Sequence, residues 1–322
     1  MIWVPALSAL SALAFLQAIA APVTSIPLPS VRGRIDHLSC DSASGRIFIA
    51  ALGNNTVEVV DIGQGKVVHT ITGLDGPQGV VYVPKWNRVF VANGGDGTVR
   101  IFNGQSFSPA KVLDFHEDAD NLRYDPGRNR VYVGYGSGAL AALDADSGKV
   151  TWDIKLPGHP ESFQYEKTGT RIFVNIPDAG EIAIVDWKLG KITAHWSAPG
   201  LKANFPMALD ESRHRLLIGF RQPPVLGIFD TESGNLLWKE PIHGDADEVF
   251  LDADGKRIYV VCGGGYLDRV REVEPDRYQK LVAIPTAAGA RTGFLDQARN
   301  TVYLAIPKTW RAGAGLRIIP LN

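Results

Sequence analysis

A short apolar run recurs along the chain at nearly constant spacing. Arg46-Ile-Phe-Ile-Ala50, Arg88-Val-Phe-Val-Ala92, Arg130-Val-Tyr-Val-Gly134, Arg171-Ile-Phe-Val-Asn175, Arg215-Leu-Leu-Ile-Gly219, Arg257-Ile-Tyr-Val-Val261 and Thr301-Val-Tyr-Leu-Ala305 begin 42, 42, 41, 44, 42 and 44 residues apart. Runs this short, bounded by turn residues, read as buried strands. A period in the low forties is that of a propeller blade.

The polar punctuation repeats with the apolar run. Before it stands a turn such as Asp125-Pro-Gly-Arg-Asn129 or Asp252-Ala-Asp-Gly-Lys256. After it comes an alternating strand ending in Asp, as in Thr56-Val-Glu-Val-Val-Asp61, Glu181-Ile-Ala-Ile-Val-Asp186 and Val225-Leu-Gly-Ile-Phe-Asp230. A turn such as Gly65-Lys66, Gly148-Lys149 or Gly190-Lys191 then leads into a fourth strand, for example Val150-Thr-Trp-Asp-Ile154. Four antiparallel strands per unit and seven units predict an all-β, seven-bladed β-propeller. The seventh unit stops after its third strand, Leu316-Arg-Ile-Ile-Pro-Leu321, while the segment from Val23 to Asp36 resembles the fourth strand and loop of unit six, Leu281 to Arg291. Residues 21–29, with 22–28 as the strand itself, are therefore expected to complete blade seven and leave no open sheet edge.

These segments resemble the YVTN-repeat propellers of the YncE family, whose unit has this apolar run, a small-residue turn and a "TV-VID" third strand. The likeness rests on Arg171-Ile-Phe-Val-Asn175 and Asn54-Asn-Thr-Val-Glu-Val-Val-Asp61 and extends over most of the chain. The strictest repeats place Asn after the apolar run, and here only Asn93 and Asn175 lie near that spot. The resemblance implies the propeller fold. It leaves the activity open, because the family spans exported proteins of unsettled role and shares its architecture with unrelated lactonases, lyases and quinoprotein subunits.

Composition narrows the setting. With 322 residues, 34 Gly, 20 Pro and only 2 Met, the chain suits one turn-rich β domain, expected over residues 21–322. A formal net charge of −1 gives no reason to expect a nucleic-acid partner. Residues 1–21 carry no charged side chain and contain Ala18-Ile19-Ala20 before Ala21, so residues 1–20 read as a cleaved signal peptide, with a membrane anchor as the alternative. Export to the periplasm or medium follows from the first reading, and a monomer without a membrane span is expected after cleavage. Cys40 and Cys262 form no CxxC or haem motif and fall in non-adjacent units, so two buried free thiols are expected rather than a disulfide. Asn54-Asn55-Thr56 satisfies the glycosylation sequon.

Candidate chemistry comes from the repeat itself. The position ten residues before each apolar run should rim the central channel, and it holds Asp36, Gln78, Asp120, Glu161, Phe205, Asp247 and Arg291. The next position holds His37, Gly79, Asn121, Ser162, Pro206, Glu248 and Thr292. Asp118, His159 and Asp245 lie two positions before the first column, with Glu117 and His116 nearby. Loops on the same face should add Arg221, Tyr135, Asn175, Lys308, Trp310 and Arg311, whereas Trp152, Trp187, Trp196 and Trp238 should pack between blades.

This rim predicts a ligand site built from Asp36, Gln78, Asp120, Asn121, Glu161, Asp247, Glu248, Arg291, Arg221 and Trp310. No resident cofactor is implied, although Asp120, Glu161 and Asp247 would suit a hard divalent cation such as Ca2+. A lactonase or lyase would use that cation to polarise a carbonyl, with His37, His159 or Glu161 moving a proton. A plain ion-pair network is the competing reading, with Arg291 between Asp247 and Asp36. A binding protein for a small molecule or an exported partner, an enzyme and a non-catalytic scaffold all remain open here.

Overall fold

The structure, a computed structural model, describes residues 24–252 and 254–321. The proposed signal segment lies outside these residues. Seven antiparallel sheets follow one another around a ring, each entered from its innermost strand. Blade one runs Leu38–Asp41, Arg46–Ala51, Thr56–Asp61 and Lys66–Ile71, and blades two to five repeat this order from Pro77 to Pro241. Blade six has a longer third strand, Tyr266–Glu274, whose outer neighbours are Arg277–Lys280 and Ile284–Pro285. Blade seven runs Gly293–Asp296, Thr301–Ile306 and Gly315–Pro320, and its fourth strand is Thr24–Pro27. That strand pairs Thr24 with Ile318 and Pro27 with Gly315, so the N-terminal segment closes the ring as the sequence predicts.

The sequence pattern accounts for each blade. The second strand is the apolar run, and both of its faces are buried because a blade packs against neighbours on either side. Hydrophobic residues therefore gather between blades rather than within one. Phe48, Val57 and Val59 of blade one meet Val80, Val89 and Phe102 of blade two, and equivalent clusters fill the other six interfaces. The turn into each second strand reverses sharply: Asn87, Asn129, His214 and Asn300 adopt φ of 47°, 54°, 56° and 47°. Asn and Gly tolerate this left-handed region better than most residues, which explains why one of them stands directly before four of the seven runs, at Gly45, Asn87, Asn129 and Asn300.

The predicted tryptophan packing holds for all four residues. Trp152 and Trp187 pack on the cluster between blades three and four, Trp196 on that between four and five and Trp238 on that between five and six, and Trp187 carries the Arg128 and Arg130 guanidiniums of blade three on its ring. Both cysteines are free, but Cys40 is only half-buried. Asn54 clamps the loop before blade one, accepting from the Arg32 amide at 2.6 Å and donating to the Ser30 carbonyl at 2.7 Å. No helix among the described residues is long and apolar enough to cross a membrane.

Candidate functional site

Six of the seven innermost strands, those of blades one to six, carry a bulge at the rim columns. In blade one the Asp36 amide donates to the Ala50 carbonyl, and the Ala50 amide donates to the His37 carbonyl, so two residues face one. Asn175 opposes Glu161 and Ser162 in the same way. In blades two, three and five the pairing skips Gln78-Gly79, Asp120-Asn121 and Phe205-Pro206, and in blade six it skips Asp247. An extra residue kinks the strand and re-aims its side chains, here toward the channel axis. The kink also crowds whatever stands opposite. The apolar run therefore ends in small residues such as Ala50, Ala92, Gly134 and Gly219; a Cβ on Gly219 would lie 2.7 Å from Pro206.

The bulges bring much of the predicted rim together. Asp36, His37, Asp120, Asn121, Glu161, Ser162, Phe205 and Asp247 line one small cavity of about 20 Å3, and Arg34 joins them. His37 is the hub. Its Nδ1 lies 2.9 Å from Glu248 Oε1 and its Nε2 3.1 Å from Asn121 Nδ2, while Arg123 donates to Asn121 Oδ1 at 2.6 Å. When the ring is neutral, Nε2 accepts from the Asn121 amide and the Nδ1–H faces Glu248; the protonated ring keeps the Glu248 contact. His159 bridges the Gly136 carbonyl, 2.6 Å from Nδ1, and Asp120 Oδ2, 3.4 Å from Nε2.

Arginines answer several of the acids. Arg221 donates to Asp247 and to the Ala246 carbonyl, and its guanidinium rests 3.6 Å from the centre of the Phe205 ring. The apolar member of the rim column is thus the platform that holds Arg221 in place. Arg34 Nη2 lies 2.8 Å from Asp36 Oδ2. Arg291 pairs with Asp245 at 3.0 Å, which corrects the expectation that it stands between Asp247 and Asp36. Gln78 donates to Asp118 Oδ1 at 2.7 Å. No described residue hydrogen-bonds the Glu161 carboxyl.

Charge and burial set the protonation of this cluster. Burial, reinforced by the Asp120 charge, pushes Glu161 up to about 7. Burial also raises Asp247 to about 7 against the opposing pull of Arg221. Burial would lower His37, but the hydrogen bond and charge of Glu248 outweigh it and carry the imidazole to about 9. The bond to Asp120 raises His159 to about 9. Burial raises the Asp36 carboxyl as well.

Other predicted members lie elsewhere. Asn175 is wholly buried and stitches blade four to blade five, donating to the Phe205 carbonyl at 3.0 Å and accepting from Asn204 at 3.1 Å. Tyr135 donates to Asp153. Trp310 is 86% exposed with Arg311 stacked 4.2 Å from its ring centre, and neither lines the cavity. Asp120, Glu161 and Asp247 face a common space, yet among the described residues no three His, Cys, Asp or Glu side chains are grouped to hold a metal ion.

Two residues of the site escape the rim columns. Arg34 stands two places before Asp36, in the same repeat column as Asp118, His159 and Asp245, so the repeat contained its signal. Arg123 lies two places after Asn121, and strand alternation turns it to the same side. The opposite end of the channel opens into a wider cavity of about 640 Å3, with Tyr124, Tyr165, Leu209 and Leu251 on its walls. These four each stand six places before an apolar run, so the repeat contained their signal too, as an apolar column on the inner strands.

Comparison with known proteins supports the fold and the distant resemblance. No family model matches the chain. The proteins YncE of Salmonella typhimurium and Salmonella typhi are each 22% identical over 191 residues, covering 57% of this chain. The alignment takes in 53% of each relative, so the chain matches about half the length of these curated proteins. Among solved structures, hydrazine synthase of Kuenenia stuttgartiensis superposes with a TM-score of 0.76 at 14% identity, over 90% of this chain and 96% of that one. The WD40 repeats of RRP9 superpose with a TM-score of 0.80 at 10% identity, over 93% and 97%. At these identities the structural likeness shows the propeller fold alone.

Proposed function

We propose that this YncE-like propeller is an exported, monomeric binding protein that holds a ligand at the bulged, polar end of its channel without turning it over. The observation that carries the reading is the convergence of side chains from blades one, three, four, five and six on one buried point. Two carboxyls there, Glu161 and Asp247, are balanced near neutral pH, and Glu161 has no hydrogen-bonding partner among the described residues. Packing alone gives no reason to place an unanswered, half-buried carboxyl at the convergence of five blades, whereas a ligand donor would supply its partner. Export rests on the uncharged leader ending in Ala18-Ile19-Ala20. Cleavage after Ala20 leaves the closing strand Thr24–Pro27 intact.

The test is a thermal-shift screen of small cationic, neutral and anionic compounds and of short peptides, run on wild type and on the Glu161→Gln, Asp247→Asn double variant. Ligands of this site should raise the wild-type Tm and lose that effect in the double variant. No shift from any class, or shifts that survive both substitutions, would defeat the assignment. Mass spectrometry of the protein recovered from a bacterial host should find a chain beginning at Ala21; retention of residues 1–20 would make the leader an anchor.

A further inference from the structure

The cavity at the bulged end has room for a single water-sized group. What limits it on the solvent side is Arg34, whose side chain is 52% exposed beside an Asp36 side chain that is 3% exposed. Burial works against the Arg34 charge, yet Asp36, Asp247, Asp120 and Glu161 together hold it firmly protonated. Four carboxyls from four blades thus face one guanidinium. The fit is imperfect. Asp36 Oδ2 is buried and has no hydrogen bond, because Arg34 Nη2, although 2.8 Å away, is out of line with it.

The cause lies in the tether. The Arg34 backbone is fixed: its carbonyl accepts from the Gly53 amide at 2.9 Å, and a Cβ on Gly53 would come within 2.9 Å of its nitrogen. A guanidinium reaching in from a clamped loop cannot turn freely to present its planar fork of donors.

We propose that Arg34 is a built-in occupant of a guanidinium subsite, and that the ligand of this end of the channel carries a guanidinium group that replaces it. This inference rests on the binding function proposed above and names the ligand chemistry. Exchange of one guanidinium for another leaves the charge of the ring unchanged, so no carboxylate is stranded in the buried site. A free group can also align with Asp36 Oδ2 and with the unpartnered Glu161, which Arg34 does not satisfy. The displaced side chain swings to water, where half of it already lies.

The experiment titrates wild type and Arg34→Ala with guanidinium chloride at low millimolar concentration, with urea, methylammonium chloride and potassium chloride as controls, reading Tm. Both proteins should show a saturable rise specific to guanidinium. The variant should bind about tenfold more tightly because its internal competitor is gone, and adding Asp36→Asn should abolish the effect. Equal shifts with urea or methylammonium, binding by the variant no tighter than by wild type, or a response confined to the variant would each overturn the proposal. Should the alanine variant not fold, Arg34→Gln retains the aliphatic stem and faces the same outcomes.

N-acetylarginine amide and an arginine-containing peptide distinguish the source. Tighter binding of the peptide places the group on a partner chain, and equal binding places it on a small molecule. A ligand from the broader screen that needs Glu161 and Asp247 but ignores Arg34→Ala would leave the binding function standing and remove this subsite.

Discussion

His37, His159, Glu161 and Asp247 all bind protons more tightly in the folded chain than in the unfolded one. The imidazoles, raised from 6.5 to about 9, stabilise the fold fully below pH 6.5 and lose that contribution as pH rises through 9. The two carboxyls, raised to about 7, retain protons that an unfolded chain releases near pH 4. They too weaken the fold as pH rises, so the signs agree. The Tm should therefore fall between pH 6 and 9, and a His37→Gln, His159→Gln double variant should flatten the decline above about pH 6.5. A wild-type Tm that is level across this interval would contradict the burial and pairing described here. Chelation offers a second check on the same residues. With Asp247 answered by Arg221, Asp36 by Arg34 and Asp120 by His159, EDTA should leave the Tm unchanged, and a drop would put a cation among them. The identities of these residues were legible in the repeat columns. Their partners were not, because partner choice depends on how far each bulge rotates a side chain. Arg291 shows this most plainly, since it reaches Asp245 rather than the column acids.

At the scale of the strand, the bulge is the device that makes the site. Gly79 occupies the bulge of blade two, where an added Cβ would collide with the Asp120 carbonyl of blade three. Gly79→Ala should therefore displace the Asp120 backbone, lowering the Tm and loosening the His159–Asp120 contact. An unchanged Tm, together with an unchanged His159 pKa by NMR, would show that the inner strands give way at no cost. Asn175→Ala tests the blade 4–5 stitch. It strands the Phe205 carbonyl and one N–H of the Asn204 amide, whose other N–H keeps the Glu181 carbonyl, and should cost about 1–3 kcal/mol, measured by urea unfolding. The apolar runs, the turns before them and the closing strand were all legible as elements, because burial on both faces writes an uninterrupted hydrophobic string. The bulges were visible only indirectly. Their trace is the small residue ending so many runs, which reads as a turn signal until the backbone shows what stands opposite.

Taken whole, the ring is seven similar blades joined by seven hydrophobic interfaces, and one interface depends on a strand from the far end of the chain. Leu28 is fully buried beside that strand, its amide donating to the Ala314 carbonyl at 2.9 Å. Leu28→Ala should cost about 2–5 kcal/mol, as for other buried leucines, and deleting residues 24–28 should lower the Tm further still. If the truncated chain melts with the full one, the closing strand is dispensable. The ring and its closure followed from periodicity, whereas the wide cavity opposite the polar end did not, because its column of Tyr124, Tyr165, Leu209 and Leu251 reads as ordinary strand core until the ring shows that it faces a void. The closing pair also fixes an order in time. Thr24 meets Ile318, so the strand Thr24–Pro27 has no partner until synthesis has reached Gly315–Pro320. Blades one to six can each form from neighbouring sequence, but the last joint pairs segments far apart in sequence, and contacts of that kind form slowly. Until then an open arc exposes the unpaired edge of Gly315–Pro320 and the apolar flank that Leu28 will cover. The polar end stays incomplete as well, since Arg34, Asp36 and His37 directly follow the closing strand. An occupied polar end would thereby report that the first and last blades have been joined.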